Sequence, residues 1–280
     1  MTVLTRGNLA REVRELPSLS AIVTQLLTML QREDVAMADL MEEIGRDQAL
    51  AARILRIANS PFYGMSTHIG SLKDAGTMLG VHTLYNIVTA AGIMGHFPPT
   101  RDDHFDRISF WRHAIGTGVC ARVLARYAAL EPELSFTAGL LHDIGKLVMA
   151  VYFVDDFSRV LAYRDTHDCL LREAEEAVLG FDHTVIGAHV AQQWKFPNPV
   201  VDAIQYHHAL PEVATPLSEI VHVADILCRG LDIGHGGDDL IPPLQKKVLK
   251  GLGLNWSTIQ HCLGEIETLN SFADVLMSSH

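Results

Sequence analysis

Apolar positions recur with a helical period along nearly the whole chain. In SLSAIVTQLLTMLQ, Leu19, Ile22, Val23, Leu26, Leu27 and Leu30 share one helix face, and Pro17 and Ser18 mark its start. A short helix is expected over about 37–45, stopping near Gly45. The next, ALAARILRIAN, is capped by Asp47 and closed by Pro61, with Tyr63 and Gly64 opening a loop. Its positions Leu50, Ile54, Leu55 and Ile57 read as core, and Asn59 to Tyr63 as a turn docking two subdomains. Ser71 caps a fourth helix that Gly80 ends, and a fifth covers about 81–95. The segment HFPPTRDDHFD, with two prolines and a charge cluster, is the best boundary candidate. It suggests an N-terminal helical subdomain, 1–104, and a larger C-terminal helical part, 105–280.

Further helices are expected at about 105–129, 135–152, 155–166, 170–179, 183–195, 199–208, 216–230, 242–251 and 256–277. Asn198-Pro199 reads as an N-cap followed by proline at the first helical position. No alternating strand pattern exceeds four residues. The expected class is therefore all-α. The loop LDIGHGGDD, 231–239, lacks phosphate-binding glycine spacing and reads as a flexible surface loop.

Composition narrows the function classes. The chain has 280 residues, 48% hydrophobic and 20% charged, which suits a globular protein. A net charge of −11 argues against a broad nucleic-acid binder, so nucleic acid is not expected as a partner. Cys120, Cys169, Cys228 and Cys262 show no CxxC pairing and read as buried free thiols of a reducing compartment. The first residues lack the apolar core of a secretory signal. The longest useful apolar run, Leu147 to Val154, is eight residues, too short to span a bilayer. A cytoplasmic protein without membrane contact is the expectation.

Fifteen histidines are unusual, and part of them are grouped with aspartates in apolar surroundings. His113 lies in FWRHAIG, His142 and Asp143 in GLLHDIGK, His183 in GFDHTVIGAH, His207 and His208 in IQYHH, and Asp225 in HVADIL. Neutral imidazole and carboxylate are ligands for divalent Fe, Mn, Zn or Ni. Seven such groups suffice for one or two metal ions, the arrangement that activates water for phosphoester hydrolysis. Lys146, four residues after His142, is placed on the same helix face and could steady developing negative charge. Asp143 and Lys146 are the candidate catalytic pair. Since the set comes from several helices, only the fold can bring it together. His189 and His222 are candidate supporting partners. His68, His82, His96, His104, His167, His235, His261 and His280 read as surface or packing residues, and Trp111 and Trp194 as core anchors.

The order His113, His142-Asp143, Asp225 resembles the HD superfamily of metal-dependent phosphohydrolases. More specifically, LPSLSAIVTQLL, DQALAARILRIANSPFYG, the FW-x-HA stretch, FTAGLLHDIGKLVM, DHTVIGAHVAQQWKFP and AIQYHH resemble an HDOD domain over roughly residues 12 to 230. The resemblance implies an HD-type helical bundle with an additional N-terminal helical subdomain. It also implies a bacterial signal-transduction module, because many HDOD members have lost the HD ligands and act through partners. This chain keeps the HD pair and Lys146. His183, His207 and His208 resemble the extra ligands of the related HD-GYP phosphodiesterases. YHH is followed by ALPEVATP, however, without the HD-GYP signature. Two readings follow. One is a regulatory module working through a signalling protein partner or a small ligand. The other is a metal-dependent phosphohydrolase acting on a nucleotide or cyclic nucleotide.

Overall fold

A computed structural model describes residues 4–30, 36–59, 68–98, 105–212, 214–238 and 240–269. The protein is 72% helical, and the described residues include no strand. The all-α expectation therefore holds. The chain divides into two compact units, Met1–Ser18 with Pro98–Gly264, and Leu19–Phe97 with Glu265–His280.

In chain order the helices are α1 (Leu9–Arg14), α2 (Ala21–Leu30), α3 (Met37–Gly45), α4 (Gln48–Ala58) and α5 (Leu72–His96). They continue with α6 (Arg107–Tyr127), α7 (Pro132–Leu141), α8 (Ile144–Tyr152), α9 (Val154–His167) and α10 (Leu171–Leu179). The last are α11 (His183–Gln193), α12 (Asn198–Tyr206), α13 (Pro216–Gly230), α14 (Lys246–Gly251) and α15 (Trp256–Leu269).

The smaller unit packs α2, α3 and α4 against α5. Asp47 and Ser71 cap α4 and α5 through Leu50 N–H and Asp74 N–H, as their positions predict. Gly80 adopts φ +75° and breaks α5 into two arms, which is why the sequence reads as two helices there. Leu50, Ile54 and Ile57 are buried, as the pattern demands. Asn59 ends α4 by donating to the Leu55 and Ile69 carbonyls and accepting from Ile69 N–H. The rest of the expected turn, 60–63, lies outside the described residues.

The larger unit is built on α6, which packs along α7 and α13; α11 packs on α8 and α12, and α9 on α10. Glu131 caps α7 through Glu133 N–H, Asp182 caps α11 through Thr184 N–H, and Thr215 caps α13 through Ser218 N–H. Every residue of α8 from Ile144 to Ala150 is buried, including Lys146. One stretch, Pro132–Tyr152, is long and apolar enough to cross a membrane, but 89% of its apolar window is buried inside the protein.

Several boundaries differ from the pattern. The expected helix 135–152 starts earlier and is broken at His142-Asp143, so α7 and α8 are separate. α12 begins one residue early, with Pro197 rather than Asn198 at the cap. α14 starts only at Lys246, because Pro242 and Pro243 lack the N–H groups a helix interior uses. Cys120, Cys228 and Cys262 are buried, whereas Cys169 is part-exposed just before α10.

Candidate metal centre

All seven predicted ligands lie in the larger unit and converge on one buried centre. His113 comes from the middle of α6, Asp225 from α13, and His183 from the first position of α11. His142 and Asp143 occupy the break between α7 and α8, and His207 and His208 follow α12. Two groups form, Asp143 with His183, His207 and His208, and His113 with His142 and Asp225. In each group the donor atoms all lie within 4.8 Å of one another.

Asp143 links the groups. Its Oδ1 lies 3.1 Å from His183 Nε2 and 3.6 Å from His207 Nε2. Its Oδ2 lies 3.2 Å from His142 Nε2 and 3.6 Å from His113 Nε2. Asp225 Oδ1 stands 3.1 Å from His113 Nε2 and 3.7 Å from His142 Nε2. His208 Nε2 is 3.1 Å from His183 Nε2.

The imidazoles are aimed by their other nitrogens. His142 Nδ1 donates to the Gly139 carbonyl at 2.7 Å, and His207 Nδ1 to the Ile204 carbonyl at 2.8 Å. These bonds fix the tautomer that leaves Nε2 able to ligate. His183 Nδ1 donates to Glu175 Oε2 at 2.6 Å, and the same oxygen accepts the His183 backbone N–H at 2.8 Å. A tight backbone contact also sets α11 against α8. A Cβ at Gly145 would sit 2.0 Å from the His183 carbonyl oxygen, so only glycine lets α8 and α11 approach here.

His113, His142, Asp143, His183 and His207 are each 0% exposed. His113 Nε2, His142 Nε2, Asp143 Oδ1 and His207 Nε2 have no hydrogen-bond partner despite their burial. Buried polar atoms left in this state are costly, and a cation in each donor group would satisfy them. The donor set, mixed imidazole and carboxylate, fits a first-row divalent metal.

The electrostatics follow from crowding. Burial opposes charge on His142, but the Asp143 and Asp225 carboxylates outweigh it and push the imidazole up to about 9. Burial likewise opposes charge on His183, and Glu175 with Asp143 raises it to about 9. His207 is lowered to about 4, chiefly by burial, with the His142 and His183 charges adding to the effect. Burial, with His207 and His183 beside it, holds His208 well below its ordinary value. Asp143 and Asp225 are held well below the carboxylate range although burial opposes it, because His142, Lys146 and Arg229 stand beside them.

Lys146 pairs with Asp143, three residues before it. Its ammonium donates to Asp143 Oδ2 at 2.6 Å and to the Gly236 carbonyl at 2.6 Å. The loop after α13 is correspondingly a packed cover and not a free surface loop. Gly234, at φ +67°, lies so close to α6 that a Cβ would be 2.3 Å from His113 N. Arg229 pairs with Asp225 at 3.0 Å and with Asp238 at 2.7 Å, and Asp238 accepts Leu171 N–H. Gly237 N–H donates to His235 Nδ1, so His235 belongs to this cover.

His222 donates to the His207 carbonyl at 2.6 Å and supports the centre, whereas His189 bonds only its own helix at Val185. Trp111 is buried and Trp194 only half-buried. His104 and His280 lie outside the described residues, as does the His82 side chain. Glu175 and Arg229 escaped the sequence reading. Their signals were present: Glu175 shares the buried face of Leu171, Ala174 and Leu179 on α10, and Arg229 stands one helical turn after Asp225.

A bundle of short helices around a paired His/Asp cage defines an HD-type helical protein. Within that class the chain belongs to the HDOD domain family, whose model matches residues 16–210. It is 26% identical over 236 residues to an uncharacterized protein of Treponema pallidum, covering 82% of this chain and 45% of that one. Over 115 residues it is 30% identical to ribonuclease Y of Aquifex aeolicus, covering 41% of this chain and 16% of the enzyme. The chain thus spans less than half the length of these curated relatives. Among solved structures, an HDOD domain protein of Geobacter sulfurreducens superposes with a TM-score of 0.81 at 26% identity, covering 98% of this chain and 97% of that one. A candidate phosphohydrolase of Shewanella amazonensis superposes at 0.80 and 26% identity, covering 96% and 97%.

Proposed function

We propose that this protein is a metal-dependent phosphohydrolase working within a bacterial signalling system. The observation that carries the reading is the pair of buried donor groups joined by the two oxygens of Asp143. Asp143, His183, His207 and His208 would hold one ion, and His113, His142 and Asp225 the other. Divalent metal supplies an activated water and charge neutralisation at a phosphoryl group. The chain's own residues do the rest. Glu175, Gly139 and Ile204 hold three imidazoles in the ligating tautomer. Arg229 neutralises Asp225, and the cover at Gly236 limits water entry. Lys146 places a cation beside the shared carboxylate, where it would stabilise the charge that builds on phosphoryl oxygens. The similarity to ribonuclease Y and to a candidate phosphohydrolase supports a phosphoester as the bond cleaved. With a net charge of −11, a nucleotide or cyclic nucleotide suits the protein better than a long nucleic acid.

Burial of the cage favours a second reading. Ligands without exposure also suit a structural metal in a module that signals through protein contacts or a small ligand. Elemental analysis for Mn, Fe, Ni and Zn, together with turnover of bis(p-nitrophenyl) phosphate, separates the two. The enzyme reading expects one or two metal equivalents and hydrolysis, both lost in His142→Ala with helicity retained. Metal without hydrolysis would favour the structural reading. Absence of metal after reconstitution would defeat the enzyme reading and leave a metal-free module that works through its partners.

A further inference from the structure

We infer that the strap His235-Gly236-Gly237 is the gate of the metal centre, latched by Lys146 and Arg164 and opened by an anion that takes over these two cations. The gate concerns access to the centre, and the choice of an anion as its opener rests on the phosphohydrolase reading. In the present conformation the centre is shut. Of the seven ligands, six are buried and His208 alone keeps part of its surface. An ion, a water or a phosphate reaches such donors only when some part of the cover moves.

The strap is the part of the cover that is free to move. Its two ends are fixed. Ile233 is buried and donates its N–H to the Cys228 carbonyl at 3.1 Å, and the Asp238 carboxylate holds Arg229 at 2.7 Å and Leu171 N–H at 3.0 Å. Between these ends Gly234 and Gly237 stand at φ +67° and +99°, angles that other residues rarely adopt. Such positions absorb the dihedral changes of a moving loop. His235 N–H donates to the Ser109 carbonyl at 3.1 Å, but Gly237 N–H turns back to His235 Nδ1 at 3.0 Å, within the strap itself. The carbonyls of the strap are gripped by side-chain cations, Gly236 by Lys146 at 2.6 Å and Gly237 by Arg164. Open space borders it. One cavity of about 310 Å³ is lined by Lys146, Arg164, His235, Gly236 and Gly237, and another of about 270 Å³ by Arg164, His235 and Asp238. A close-packed segment shifts only by displacing its neighbours, whereas this one has room.

The latch defines what opens it. Lys146 donates to Asp143 Oδ2 at 2.6 Å as well as to Gly236, so it joins the strap to the carboxylate shared by the two donor groups. Both cations line the larger cavity. An anion bound there competes for them with two neutral carbonyls, and a charged acceptor forms the stronger hydrogen bond. The acids nearby are already engaged: Asp165 pairs with Arg164, and Asp106 caps α6 through Ser109 N–H. Loss of both cations releases Gly236 and Gly237 and opens the cavity toward Asp143.

Hydrogen-exchange mass spectrometry of the metal-free full chain reads the gate at the amides of residues 234–238. Saturating inorganic phosphate should speed exchange there by about tenfold or more while α6 and α13 stay unchanged, because a ligand that prefers the open form shifts the population toward it. Arg164→Ala removes one half of the latch and should speed the same amides by about tenfold to a hundredfold without phosphate, the scale of losing one charge-assisted hydrogen bond. The rate at which this variant takes up Co(II), followed by visible absorption, should rise by the same factor with the final metal content unchanged, since the ion enters from the open form. Arg164→Lys, which keeps a cation for Gly237, should return both rates toward the parental ones. Amides unmoved by Arg164→Ala, or Co(II) uptake unmoved while they quicken, overturn the gate; ions would then enter past His208. Amides unmoved or slowed by phosphate overturn the anion as its opener. A strap that responds to both changes in a chain that takes up no Co(II) overturns the phosphohydrolase reading instead.

Discussion

Gly145→Ala is the sharpest perturbation of the centre that leaves every ligand in place. The new methyl would start 2.0 Å from the His183 carbonyl oxygen and 2.9 Å from Gly187 N, both backbone atoms. Side chains cannot swing away to relieve this, so α11 must move away from α8. Restoring a distance beyond 3.0 Å needs a shift of about 1 Å, given the starting contact. His183 is the first residue of α11, and its Nε2 is only 3.1 Å from Asp143 Oδ1. A shift of that size removes His183 from ligating range of any ion that Asp143 also holds, because ligand distances tolerate only about 0.2 Å. Overpacking costs roughly 1–3 kcal/mol, and a unit of this size loses about 2–4 °C of melting temperature per kcal/mol. Metal content by elemental analysis and thermal melting by circular dichroism read both effects. The expected result is loss of the ion in the Asp143, His183, His207 and His208 group, with a lower melting temperature. Full metal content together with an unchanged melting temperature would refute the argument that α8–α11 backbone contact positions His183.

Three further outcomes follow from the same geometry. Glu175→Gln keeps an acceptor beside His183 Nδ1 but removes its charge, and metal affinity measured by competition with a chromogenic chelator should fall about 10–100-fold; unchanged affinity would count against a role for Glu175. His142 and His183, at about 9 with no metal bound, carry protons at pH 7 that ligation must displace. Metal uptake should therefore release protons, and affinity should rise with pH by up to about tenfold per unit for each proton, levelling above about 9; calorimetry in buffers of different ionisation enthalpy would detect this, and pH-independent binding would contradict it. Arg229→Ala leaves the buried carboxylates of Asp225 and Asp238 without their shared cation and should cost about 3–5 kcal/mol in urea unfolding; a cost under about 1 kcal/mol would show that the ion pairs hold little of the loop in place.

Much of the scaffold was legible in the chain itself. Apolar spacing placed α2, α4 and the two arms of α5, because a helix face is a local property of residues three and four apart. Asp47 and Ser71 were readable as caps for the same reason, and Gly80 as a break. The seven candidate ligands could be named one by one, since His and Asp in apolar runs stand out against burial preferences.

Their convergence could not be read this way. His113, Asp143, His183, His207 and Asp225 belong to different elements, and only the packing of α6, α8, α11, α12 and α13 brings them within 4.8 Å in two groups. The break between α7 and α8 likewise depends on tertiary contacts, since GLLHDIGKLVM has a continuous helical pattern. The loop from Leu231 to Asp238 looked free because glycine-rich segments are locally permissive. Its Gly234 in fact serves close approach to α6, and its ion pairs reach back to α13. Sequence by itself determined the helices and the inventory of donors, both set by local spacing and residue chemistry. Tertiary structure decided which donors meet, which proton each imidazole gives up, and what covers them, because those depend on distances between residues far apart in the chain.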